Sequence, residues 1–150
     1  MSNYNFSTDE LRTRATAEID HVIELQLLKT ALNQMDDRSF KDEEINGIIT
    51  FFNDLQNLQM LAKGENRMKG FIVGQYIKHY EESTHQERKD KVKYNKKVIA
   101  EEVIDGFINR MRNRWTSSIR KQFIEKFTHR GNFGKFIMLV EEVLNYGFWK

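Results

Sequence analysis

The sequence predicts a mainly α-helical chain with one small β-hairpin, on three observations. Proline is absent from all 150 residues, which favours long uninterrupted helices over a turn-rich β-sandwich. Apolar residues recur at helical spacing, as in Leu25, Leu28 and Leu32 or Ile99, Val103, Ile104, Phe107, Ile108 and Met111. Two short stretches depart from that period. In 19–23, Ile19-Asp20-His21-Val22-Ile23 reads equally as strand or helix, and in 55–62 Leu58 and Met60 alternate with polar neighbours as in a half-buried strand. With 39% hydrophobic residues, the chain can build a core, and its length fits a single domain over 1–150.

The elements follow in order. Ser7-Thr8-Asp9-Glu10 has the capping-box pattern and predicts a short helix start. A helix over 24–34 ends at the turn Asp36-Asp37-Arg38-Ser39, and Ser39 then caps a helix through Ile45, Ile48, Ile49 and Phe52. Asp42, Glu43 and Glu44 suit the positive end of its dipole. Gly64 marks a turn after the second extended stretch, and Asn66 is placed to cap a helix carrying Phe71, Ile72, Tyr76 and Tyr80. The polar stretch 79–97 reads as a loop or an exposed helical turn. Helices over 98–112 and 117–128, a turn at Gly131-Asn132-Phe133-Gly134 and a last helix over 135–146 complete the chain.

Composition removes whole classes of chemistry. Without cysteine there is no disulfide framework, no thiolate zinc site and no cysteine nucleophile. No apolar run approaches the ~20 residues of a membrane span, and the first residues lack the basic start and apolar centre of a secretory signal. The expectation is an intracellular protein without a membrane association, its compartment open.

The net charge of +2 conceals an uneven distribution. Residues 1–50 hold 5 Lys/Arg against 10 Asp/Glu, whereas residues 84–130 hold 13 against 6. The basic part includes Arg88, Lys89, Lys91, Lys93, Lys96, Lys97, Arg110, Arg112, Arg114, Arg120 and Lys121, with Tyr94, Phe107, Trp115 and Phe123 interleaved. Such a surface suits a polyanion, because each neutralised phosphate releases counterions; a solvated helical face is the plainer reading.

Asp20-His21, then Asn57-Leu58-Gln59-Met60-Leu61, then Asn66-Arg67-Met68-Lys69-Gly70 occur in that order. Together they resemble the HNH endonucleases of the ββα-metal superfamily, over residues 18–76. There an Asp-His pair lies on the first strand, an Asn-Leu stretch on the second, and an (Asn/His)-x-x-Lys sequence opens a helix. The resemblance implies a ββα-metal motif with a helical insertion between the strands, followed by a basic helical extension over 77–150. It also implies an endonuclease that hydrolyses phosphodiester bonds, with DNA as the default substrate over RNA. His21 would be the general base, Asn57 would tie the loop and orient that histidine, and Asp20 and Asn66 would hold one Mg²⁺ or Mn²⁺. Arg67 and Lys69 fall where basic residues would reach phosphate, and Arg110, Arg112, Arg114 and Lys121 would grip the backbone. Many relatives carry a Cys-x-x-Cys zinc knuckle; here that stretch is Leu61-Ala62-Lys63-Gly64-Glu65, so no structural zinc is expected.

These residue types fit that chemistry. Imidazole accepts a water proton near neutral pH. Carboxylate and carboxamide oxygens are hard ligands suited to Mg²⁺. Alternation along a strand sends Asp20 and His21 to opposite faces. The plainer readings stand beside these: His21 as an ordinary helix histidine, Asn66 as a cap, and Glu24, Gln26 and Gln59 as plain polar positions or supports of the site. His79, His85 and His129 read as structural or exposed, and Trp115 as half-buried core beside cations. If the catalytic reading does not hold, the runner-up is an inactive nuclease-like module that binds nucleic acid or protein.

Overall fold

A computed structural model describes residues 17–82 and 92–148; the predicted helix start at Ser7, His85 and the basic residues Arg88, Lys89 and Lys91 lie outside them. Among the described residues the chain is mainly helical, with two small antiparallel hairpins. The ambiguous stretch is a strand, β1 (Ala17–His21), and it pairs antiparallel with β2 (Leu58–Ala62), so that Asp20 lies opposite Gln59 and His21 opposite Leu58. Between the two strands stand α1 (Leu25–Asn33) and α2 (Asp42–Phe52). Ser39 does not cap α2. The cap is Lys41, whose backbone N–H donates to the Glu44 carboxylate at 2.8 Å, and Asp42, Glu43 and Glu44 fill the first turn.

A one-turn 3-10 helix (Leu55–Asn57) leads into β2, and β2 runs without a turn into α3 (Lys63–Glu82). The predicted turn at Gly64 and cap at Asn66 are therefore corrected. The helix already starts at Lys63, and the Asn66 amide is used across the hairpin, donating to Glu18 at 2.8 Å, rather than on the helix N-terminus. Downstream, β3 (Lys93–Tyr94) and β4 (Lys97–Val98) form a hairpin that the polar composition of 79–97 concealed. Asn95 and Lys96 close it with φ of 51° and 67°, the left-handed pair that a two-residue turn demands.

Helix α4 (Glu101–Arg114) passes through a wider π-helical turn (Trp115–Ile119) into α5 (Arg120–Lys126), and α6 (Gly131–Leu144) closes the fold. The glycines read as a turn belong to the start of α6. Gly134 lies so close to the His129 carbonyl that a Cβ there would clash. One hydrophobic cluster joins the inserted helices to the C-terminal ones. In it Phe51 meets Phe123 edge-on at 5.3 Å, Phe52 stacks on Trp115 at 6.4 Å, and Phe136 packs against Phe52 and Phe123. Trp115 is thus buried in this core rather than presented to a base. Among the described residues, no helix is long and apolar enough to cross a membrane.

Candidate active site on the β1–β2–α3 unit

Strand alternation divides β1 into two faces. Glu18 and Asp20 point toward α3, where Asp20 is only 5% exposed; Ile19 points away at 66% exposed, and His21 lies on that same outer face. Each carboxylate on the inner face meets one turn of α3. Glu18 accepts from Asn66, and Asp20 accepts from Lys69 Nζ at 2.5 Å and from Gln59 Nε2 at 2.9 Å. The i, i+2 spacing of a strand here matches the i, i+3 spacing of a helix, which is why Asn66 and Lys69 share a face.

Lys69 corrects an expectation. It is 3% exposed and does not reach out to phosphate. Its ammonium is held by Asp20, by Glu24 Oε1 at 3.3 Å, and by the carbonyls of His21 at 2.5 Å and Val22 at 3.2 Å. A buried ammonium without such partners would be strongly unfavourable, so the four oxygens are a condition of its position. Arg67, two residues earlier, is exposed.

Asn57 is fully buried and acts on the backbone. Its Oδ1 accepts from Ile23 N–H at 2.8 Å, and its Nδ2 donates to the carbonyls of Phe52 at 2.9 Å and Ile23 at 3.2 Å. Its own carbonyl accepts from Val22 N–H at 2.8 Å. One side chain thereby clamps the segment leaving β1 to the end of α2, on both sides of the helical insertion.

His21 lies on the outer face, and its Nε2 is 2.8 Å from Asn53 Oδ1. A carboxamide oxygen only accepts, so in this arrangement Nε2 is the donor, and in the neutral tautomer that fits it the lone pair lies on Nδ1. Asp20 and Asn66 line the inner face while His21 occupies the other, so the three do not share one cluster of contacts. Among the described residues no group of three or more His, Cys, Asp or Glu side chains converges as a metal site would require. The inner face nonetheless offers three hard oxygen donors in Glu18, Asp20 and Asn66, a donor set that suits Mg²⁺ or Mn²⁺.

The four predicted cations of the C-terminal half divide. Arg110 and Arg114 rise one helical turn apart beside a cavity of about 250 Å³ whose lining also includes Gln59 and Lys69. Arg110 pairs with Glu65 at 2.9 Å and Arg114 donates to the Gln56 carbonyl at 3.2 Å, both in exposed positions. Arg112 is corrected: its guanidinium turns to the end of α6, donating to the Leu144 carbonyl at 2.5 Å and the Tyr146 carbonyl at 3.3 Å. Tyr76 donates to the same carbonyl end, and burial holds its phenol above the ordinary value near 10, with Arg112 opposing. Lys121 is exposed on α5.

Sequence reasoning passed over Glu18 and Asn53. Glu18 was legible, since a residue two before Asp20 on a strand shares its face; nothing local marked Asn53 as the partner of His21. His79 is buried with Nδ1 2.6 Å from the Tyr146 hydroxyl, and His129 is exposed. Comparison with family models, curated proteins and solved structures finds none that matches this chain.

Proposed function

We propose that this chain is a metal-dependent endonuclease of the HNH type, with a ββα-metal unit that hydrolyses phosphodiester bonds in nucleic acid, DNA by default. The observation that supports the reading best is the unit β1–β2–α3, in which Asn57 clamps the end of β1 while Asp20 and Asn66 line one face of hairpin and helix. Asp20 and Asn66, with Glu18 beside them, would hold one Mg²⁺ or Mn²⁺, which supplies charge stabilisation for the phosphate and the leaving oxygen. Asn53 fixes the His21 ring so that Nδ1 can take a proton from water. Arg110 and Arg114, with Arg67 and Lys121, would neutralise the backbone of the bound strand.

A second reading, a nucleic-acid-binding module without catalysis, draws on the engagement of Asp20 by Lys69 and on the outward position of His21. Nicking of supercoiled plasmid with Mg²⁺, with and without EDTA, separates the two. The enzyme reading expects EDTA-sensitive cutting that His21→Ala slows by about 10²–10⁴-fold, with DNA mobility shifts retained. Cutting that is indifferent to EDTA or to the substitution removes the enzyme reading. Salt-sensitive mobility shifts without any cutting by the wild-type protein leave the binding module.

A further inference from the structure

We infer that the carboxylates of Asp20 and Glu24 and the carbonyls of His21 and Val22 form a cation cage at the end of β1, filled by the chain's own Lys69. Four oxygens stand between 2.5 and 3.3 Å from one nitrogen, drawn from a strand, the segment that leaves it and the approach to α1. That oxygen-only surround is the coordination a hard cation receives. The cage carries two formal negative charges against the single positive charge of the ammonium. Gln26 and Gln59 brace it, Gln26 donating to Glu24 at 3.4 Å and to the Gly70 carbonyl at 3.2 Å, Gln59 donating to Asp20. The tethered ammonium thereby takes on a fastening task in a unit that has no cysteine to hold zinc.

Lys69 is on this view a positioning residue: it holds Asp20 and the His21 backbone in place before any divalent ion arrives. That last step rests on the nuclease reading; the cage itself does not. Removing the ammonium leaves the buried Asp20 carboxylate and the half-buried Glu24 carboxylate without their shared cation. Lys69→Met is therefore expected to lower Tm by roughly 10 °C, and the double variant Asp20→Asn with Lys69→Met to regain most of that loss. The smaller Lys69→Ala opens the cage to a small organic cation, and millimolar ethylammonium is expected to raise its Tm while leaving the Tm of the Asp20→Asn, Lys69→Ala variant unchanged. Single and double variants that melt together, or a Lys69→Met protein as stable as wild type, overturn the cage. In an active enzyme an Asp20 that is no longer held binds Mg²⁺ less well, so Lys69→Met shifts half-maximal nicking to higher Mg²⁺. Half-maximal nicking at unchanged or lower Mg²⁺ overturns the positioning role. A wild-type protein that never cuts DNA defeats the nuclease reading and leaves the melting outcomes as they stand.

Discussion

The β1–β2–α3 unit and the helices packed beside it are held together by different forces. In the first, buried polar side chains fasten named backbone atoms: Asn57 fastens Ile23 and Phe52, and Lys69 fastens the carbonyls of His21 and Val22. In the second, rings fill volume, with Phe51, Phe52, Trp115, Phe123 and Phe136 in mutual contact at 4.9 to 6.4 Å between centroids. Packing tolerates a range of shapes, whereas a hydrogen bond tolerates little change in distance or direction. Chemistry that depends on placed atoms therefore belongs on the first unit, and the second serves as the support that its two strands, separated by 36 residues, require.

The sharpest test compares one residue from each region. Asn57→Ala strands a buried Ile23 N–H and two buried carbonyls, and is expected to cost about 3 kcal/mol; Asn57→Leu, which restores the volume, should recover none of it. Phe136→Leu, which keeps an apolar filler in the ring cluster, is expected to cost only about 1–2 kcal/mol. Urea unfolding of the three variants measures this. An Asn57→Leu protein more stable than the Asn57→Ala protein would mean that the clamp acts through packing, and the contrast between the regions would fail.

The same contrast explains what could be read from the sequence. Helical periods announce the ring-filled region, because apolar residues at i, i+3 and i+4 report directly on burial. Even there, the two-residue strands around Asn95 and Lys96 escaped notice, since a solvent-facing hairpin needs no apolar alternation. The polar unit was legible as a pattern of Asp20, His21, Asn57, Asn66 and Lys69, but not as a geometry. Nothing in composition distinguishes a lysine that reaches for phosphate from one folded into a carboxylate cage. That distinction arises from the register of β1 against β2 and from α3 beginning at Lys63 without a turn, which rotates Lys69 inward. Arg112 shows the same limit, being separated by two positions from arginines that face the other way around α4.

That rotation around α4 gives the next test, at the boundary of the two regions. Arg110 and Arg114 border the cavity beside Lys69, while Arg112 belongs to the C-terminal support. Under the proposed function, replacing Arg110 and Arg114 together by Ala is expected to weaken DNA binding and reduce the slope of log K against log salt by about 2, with thermal stability nearly unchanged. Arg112→Ala should do the reverse, costing about 1.5–3 kcal/mol of stability through its lost charge-assisted bonds while leaving the slope in place. Equal slopes for all three proteins would remove Arg110 and Arg114 from the proposed nucleic-acid contact.

The smallest expected effect probes a polar fastening inside the ring-filled region. Tyr76 donates to the carbonyls that end α6, with Val143 O nearest at 2.6 Å, and Arg112 reinforces it at 3.4 Å. Tyr76→Phe keeps the ring among Tyr146 and Phe148 and removes one donor, for an expected loss of about 1 kcal/mol. Its pH dependence is the more telling measurement. Burial raises the folded-state pKa above the ordinary value near 10, so the folded protein keeps a proton that the unfolded chain has released. The contribution of Tyr76 is therefore complete below the unfolded value and is lost as pH rises from there through the raised folded value. Wild-type stability should fall more steeply than that of Tyr76→Phe above pH ~10, and the two curves should run parallel below it. Curves that stay parallel through the alkaline range would mean that this phenol is not held neutral by the fold.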